Sequence, residues 1–367
     1  MSAKDKEKGK SKNKTLTESR VKPGIRNLSA YSVPRYDAGV RLDGNESPFS
    51  LPPEIAKKVL DKLSKIDVNR YPDPEAGELR KRISDINGFP LGGILLGNGS
   101  DELIGMLITA FSGRTGRILY PTPTFSMYGI SGLALGMELL EVELDRKFDL
   151  DIDKIADLIG RKDPDLIFLA SPNNPTGNVY SADKIRETIR LSRGVVVVDE
   201  AYSDFSGYTF LPLIEEHENL IILRTLSKVG FAGIRLGILY GRENLVHEIN
   251  KVRYPYNINS LTQGVAEVVL RNHEFVYENI QLIVRERDRV YKSLSKMRGV
   301  EPYHSDANFI LFKVGDADYV FKALIARDVL IRNFNKPGRL ENCMRVTIGT
   351  PRENDAFLGT LGEILAP

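Results

Sequence analysis

Two runs constrain this chain more than anything else: L-I-F-L-A at 166–170 and V-V-V-V at 195–198. Each is apolar at every position rather than at alternate ones, so each must be covered on both faces. Interior strands of a parallel sheet read this way, and parallel strands need crossover connections that are usually helical. Short β-like runs at 118–120, 139–144, 220–223 and 236–240 extend the series, with helical stretches at 101–111, 151–160 and 181–192 between them. The alternation predicts an α/β fold with a large domain over 51–255. A helix over 53–66, with Ile55, Val59, Leu60, Leu63 and Ile66 on one face, opens it, and Gly88 closes a second helical stretch.

The texture changes after residue 240. A long helical stretch through 261–297 leads to strand-like F-I-L-F, V-L-I-R and M-R-V-T-I, then a closing helix near 352–364. This predicts a smaller α+β domain over 256–367. Residues 23–50 are expected to form an arm that packs on the small domain or on a partner subunit. Residues 1–22 carry a net +5 against −3 for the rest of the chain. With almost no apolar residues they cannot offset their own ordering entropy, so a disordered basic tail is expected. No aromatic residue interleaves its lysines, and the acidic body offers no nucleic-acid surface, so no nucleic-acid partner is expected.

One cysteine, Cys343, excludes an intramolecular disulfide and a zinc site built on several thiolates. The four histidines show no paired ligand spacing, so no metal is expected. No uncharged apolar run nears the roughly 20 residues that span a bilayer, and the N-terminus lacks the apolar core of a secretory signal. The expectation is a cytoplasmic protein without a membrane partner.

Four motifs carry chemistry. G-N-G-S-D-E at 97–102 is a glycine turn before an apolar helical stretch, with Ser100 or Asp101 as N-cap; it is either a structural turn or a phosphate cradle of backbone N–H groups. S-P-N-N-P-T-G at 171–177 follows a buried strand and presents Asn173 and Asn174 where open parallel sheets bind ligands; an ordinary Asn-Pro turn reads the same way. In V-V-V-V-D-E-A-Y, Asp199 leaves the sheet directly after four valines. An ionised carboxylate there needs a partner. It could cap the next helix, or hold a protonated ring nitrogen while Tyr202 bonds a neighbouring ring oxygen. Finally, L-I-I-L-R-T-L-S-K delivers Thr225, Ser227 and Lys228 to the same edge, with Arg235 following in a glycine-rich stretch. Amine, hydroxyls and guanidinium together suit a covalent amine beside a phosphate clamp. All four together complement pyridoxal 5'-phosphate.

Over residues 25–365 the chain resembles the fold-type I pyridoxal-phosphate enzymes, and within them the histidinol-phosphate aminotransferases. L-D-G-N-E-S-P at 42–48, N-R-Y-P-D-P at 69–74, the four motifs above and M-R-V-T-I-G at 344–349 carry the resemblance. It implies a mostly parallel seven-stranded sheet between helices plus a smaller α+β domain. Lys228 would be the Schiff-base lysine and proton carrier, and Asp199 the partner of the ring nitrogen. Asn174 and Tyr202 would bond the ring oxygen, Phe125 would stack on the ring, and Ser100, Asp101, Thr225, Ser227 and Arg235 would hold the phosphate. Tyr71 would reach the active site of the other subunit in a homodimer. Arg332 and Arg345, with Tyr31 and Asn45, would bind the substrates, histidinol phosphate and 2-oxoglutarate or glutamate. Lys228 and Arg235 stand seven residues apart, one fewer than is common in the family. The alternatives are threonine-phosphate decarboxylation in corrinoid synthesis and broad aromatic aminotransfer.

Overall fold

The computed structural model describes residues 20–26, 28–30 and 36–366. Their strands are β1 Val40–Leu42, β2 Ile94–Asn98, β3 Arg117–Thr122, β4 Glu138–Glu143, β5 Leu166–Ala170, β6 Val195–Asp199, β7 Leu220–Thr225, β8 Leu236–Tyr240, β9 Glu301–Pro302, β10 Phe309–Lys313, β11 Val329–Asn333 and β12 Cys343–Thr347. Seven of them form one sheet in the order β2-β8-β7-β6-β5-β3-β4. The neighbours from β7 across to β4 are all parallel, and β8 alone runs against its two neighbours. Every residue of β5, β6 and β8 is buried, which is why those runs show no alternation.

The expected runs fall on β3 to β8, but β2 has no counterpart among them. Its Gly97 and Asn98 look like part of a glycine turn. In the sheet Gly97 pairs with Gly237, and a Cβ on Gly97 would lie 2.5 Å from Leu103 Cγ. The glycine is there for close packing of the following helix, not for a bend. That helix runs Gly99–Phe111 with Asn98 at its N-cap, so the cap expected at Ser100 or Asp101 lies earlier, and both residues belong to the first turn.

The second sheet has the order β1-β11-β12-β10-β9. β1 adds to its edge parallel to β11, while the short helix Pro23–Arg26 lies against the helix Met127–Leu135. The single helical stretch expected over 261–297 is two helices, Ser260–Arg271 and Glu274–Leu294. Asn272 breaks them by leaving helical geometry (φ −131°, ψ 49°), and its side chain accepts from Lys58 Nζ at 2.6 Å. The first helix packs on Pro53–Leu63 and Gly77–Asn87, its Ala266 joining the core of the large sheet and its Val269 that of the small one. The second buries Ile283, Val290 and Leu294 in the core under the small sheet. Gly88, at φ 63°, ends Gly77–Asn87. No helix among the described residues is long and apolar enough to cross a membrane.

Candidate active site

Parallel pairing aligns Ala170 with Asp199 and Asp199 with Leu223. The segments leaving β5, β6 and β7 therefore emerge at one edge, the carboxyl edge where α/β sheets bind ligands. Asp199 ends β6 and is only 4% exposed. Its Oδ2 accepts from the Tyr128 hydroxyl at 2.7 Å and its Oδ1 from the Ala201 N–H at 3.1 Å. Burial raises its pKa from 3.8 to about 6, while the Tyr128 bond, the Ala201 N–H and the nearby Lys228 pull it down. Its hydrogen-bond partners are a phenol and a peptide group; no ion pair to it is found among the described residues.

Beyond β7 the chain turns through Leu226–Lys228. Thr225 Oγ1 accepts from the Ser227 N–H at 3.1 Å, meets the Ser227 hydroxyl at 2.9 Å and donates to Leu236 O at 3.1 Å. Those bonds fix the turn that carries Lys228, whose Nζ lies 5.6 Å from the centre of the Tyr202 ring. Across the turn, Arg235 adopts the left-handed conformation (φ 51°). Its carbonyl accepts from the Gly99 N–H at 2.8 Å and its guanidinium pairs with Asp101 at 2.9 Å. A Cβ on Gly237 would sit 2.6 Å from Ser100 N, so glycine is required for β8 to approach the start of the helix Gly99–Phe111. Ser100, Asp101, Thr225, Ser227 and Arg235, distant in sequence, thus belong to one neighbourhood at a helix N-terminus.

The small sheet meets this edge from the other side. Arg345 on β12 is buried, donates to Asn174 Oδ1 and to Asp43 O (2.9 Å), and lies over the rings of Phe309 and Phe334 at 5.1 and 5.2 Å. Arg332 on β11 stands directly opposite Arg345 in the antiparallel register. Like charges in that arrangement are unfavourable unless an anion lies between them. Asn45, at φ 53° and buried, spends its amide on other residues: Nδ2 donates to the Tyr202 hydroxyl at 2.9 Å and Oδ1 accepts from Thr347 at 3.2 Å. It joins the arm, the small sheet and Tyr202.

Phe125 stands edge-on to Tyr128 at 5.6 Å. Tyr71 is 81% exposed and stacked on Tyr256 at 4.5 Å. Tyr31 lies outside the described residues. Tyr128, the phenol on Asp199, has no place in the motifs read from sequence. Its only signal was its position three residues after Phe125, at the start of Met127–Leu135. No cluster of metal-ligating side chains occurs among the described residues.

The family model for aminotransferase class I and II matches residues 38–361. A histidinol-phosphate aminotransferase of Aquifex aeolicus is 45% identical over 342 residues, 92% of this chain and 96% of its own. One from Nitrosococcus oceani is 42% identical over 345 residues, 93% of this chain and 96% of its own. Among solved structures, a histidinol-phosphate aminotransferase from Sinorhizobium meliloti in complex with pyridoxal-5'-phosphate shares the fold with a TM-score of 0.84 at 23% identity, covering 95% of this chain and 98% of that one.

Proposed function

Because the chain belongs to the aminotransferase class I and II family, we propose that it transfers the amino group of L-histidinol phosphate to 2-oxoglutarate, a step of histidine biosynthesis, with pyridoxal 5'-phosphate as cofactor. The names of its curated relatives support the substrate. The single observation that carries the cofactor is Asp199, a buried carboxylate with no cation paired to it among the described residues. Isolated buried charge costs several kcal/mol, roughly, even after relaxation, and a protonated ring nitrogen is the partner that would offset it. The close approach of Gly237 to Ser100, with Thr225, Ser227 and Arg235 around it, suits the phosphate.

When bound, the cofactor supplies a carbonyl carbon that condenses with amines and a ring that takes up the electron pair released at the substrate α-carbon. Asp199 holds the ring-nitrogen proton. Lys228 would provide the amine that holds the cofactor and would carry the proton from the α-carbon. Tyr202, whose oxygen already accepts from Asn45, has its own proton left to donate to the ring oxygen. Asn174, whose amide oxygen accepts from Arg345, would donate to that oxygen through its N–H groups. Phe125 covers the ring face. Arg332 and Arg345 bind the substrate phosphate and, in the second half-reaction, a glutamate carboxylate.

A homodimer, acting in the cytoplasm where amino acids are made, is part of this reading. Leu60, Val68, Tyr71, Tyr254, Tyr256 and Leu261 are all exposed, on stretches joined by the Tyr71–Tyr256 stack and the packing of Pro53–Leu63 against Ser260–Arg271. Such an apolar surface suits a second copy of the chain, and Tyr71 is the residue that would cross it.

Spectroscopy tests the proposal. Adding L-histidinol phosphate to the cofactor-loaded protein should convert the cofactor absorbance band, and 2-oxoglutarate should restore it. A band indifferent to L-histidinol phosphate that instead responds to L-threonine phosphate with release of carbon dioxide would replace aminotransfer by decarboxylation.

A further inference from the structure

Tyr128 is wholly buried, yet it stands one bond from the chemistry. Phe168 stacks on its ring at 4.8 Å with planes 10° apart, and Phe125 meets it edge-on at 5.6 Å. Tyr120 closes a third side, 6.4 Å away and tilted. Three aromatic neighbours leave the ring little freedom, so the hydroxyl has one direction to point, toward Asp199 Oδ2 at 2.7 Å. We infer that Tyr128 is a positioning residue for Asp199: its phenol holds the carboxylate ionised and turned toward the place of the ring nitrogen.

The chemistry of the neighbours supports this. Tyr128 itself is pushed well above the ordinary tyrosine range, first by burial and then by Asp199, Tyr180 and Tyr202 around it. It stays protonated at every working pH and is always a donor. Asp199 faces opposing influences: burial and Asp101 favour its neutral form, while Tyr128, the Ala201 N–H and Lys228 favour the charged one. Among the pulls toward the charged form the Tyr128 bond is the largest. Removing it would leave a carboxyl that keeps its proton to higher pH, and a neutral carboxyl cannot hold a proton on a ring nitrogen.

This inference rests on the reading of Asp199 given above, and the test separates the two. Cofactor-free wild type, Tyr128→Phe, Asp199→Asn and the double variant are titrated with pyridoxal 5'-phosphate from pH 5 to 8.5, following binding by absorbance and protein fluorescence. A hydrogen bond to a charged group is worth about 1.5–3 kcal/mol. Tyr128→Phe should therefore bind roughly 10- to 100-fold more weakly at pH 7, and the pH at which binding falls off should move upward. In the Asp199→Asn background the same change should cost no more than about 3-fold, because the charge it serves is gone. An equal loss in both backgrounds, or an unmoved pH dependence, would overturn the role of Tyr128 and leave that of Asp199 intact. If Asp199→Asn neither weakens binding nor alters its pH dependence, the reading of Asp199 fails instead. Phenylalanine preserves the ring stacking, so the fold should survive. If it does not, a fluorotyrosine at position 128 decides: its more acidic phenol should move the pH dependence downward, and no movement counts against the inference.

Discussion

Asp199 and Glu200 are neighbours in sequence, both buried, and both leave the end of β6. They point to opposite faces of the sheet, and their surroundings differ completely. Glu200 meets Arg224 at 2.9 Å, accepts from the Thr209 hydroxyl at 2.8 Å and from the Phe210 N–H, and Arg224 in turn reaches Asn87 at 3.2 Å. Burial pushes the Glu200 carboxyl up and Arg224 pulls it back. Glu200 and Arg224 compensate each other within the chain. Asp199 has a phenol, a peptide N–H and, among the described residues, no paired cation. A compensated buried carboxylate is architecture, locking β6 to β7 behind the site. An uncompensated one suits a cationic ligand, and that difference, more than either burial, separates structure from function.

The comparison breaks most sharply at Asp199. Asp199→Asn should lower turnover about 10³-fold or more, equivalent to roughly 4 kcal/mol of barrier, while the protein stays folded; steady-state kinetics alongside circular dichroism would show the split. Glu200→Ala should do the reverse. Leaving Arg224 buried without its carboxylate should cost about 3 kcal/mol of stability, the low end because Asn87 and Thr209 still bond the guanidinium. Chemical denaturation should detect that loss, and turnover per folded molecule should change far less than in Asp199→Asn.

A pH series sharpens the contrast further. Burial lifts Asp199 from 3.8 to about 6, so between those values the folded, cofactor-free protein keeps a proton that the unfolded chain has released. The stability this contributes is present in full below about pH 4 and is lost as pH rises through about 6. Denaturation of cofactor-free wild type against Asp199→Asn should show their difference shift by roughly 2–3 kcal/mol in favour of the variant from pH 4 to 8. Smallest is the effect expected from mixing subunits: Tyr71→Phe combined with Arg345→Ala should regain part of the activity each lacks alone, through the mixed dimer's one intact site. No regain would count against a shared site.

How legible was this in the sequence? The strand ends were. Runs without alternation, each followed by Asp199, Asn174 or Lys228, place their residues at one sheet edge because β5, β6 and β7 are parallel and in register. What the pattern could not carry was contact across long separations. Arg345 and Asn174, 171 residues apart, share a hydrogen bond; Asn45 and Tyr202, 157 apart, share another. Periodicity is local and says nothing of either. β2 was hidden because Gly97, needed for close helix packing, mimics a turn, and Tyr128 was hidden because a buried aromatic on a helix looks like core. The break at Asn272 was invisible because the apolar period continues in helices on both sides of it.

The most direct measurement is to reduce the cofactor-loaded protein with borohydride, digest it and locate the modified peptide by mass spectrometry. The account predicts a single cofactor adduct on Lys228, and none on the Lys228→Ala protein, which should also lose turnover and the cofactor absorbance. An adduct on another lysine, or full activity without Lys228, would contradict it.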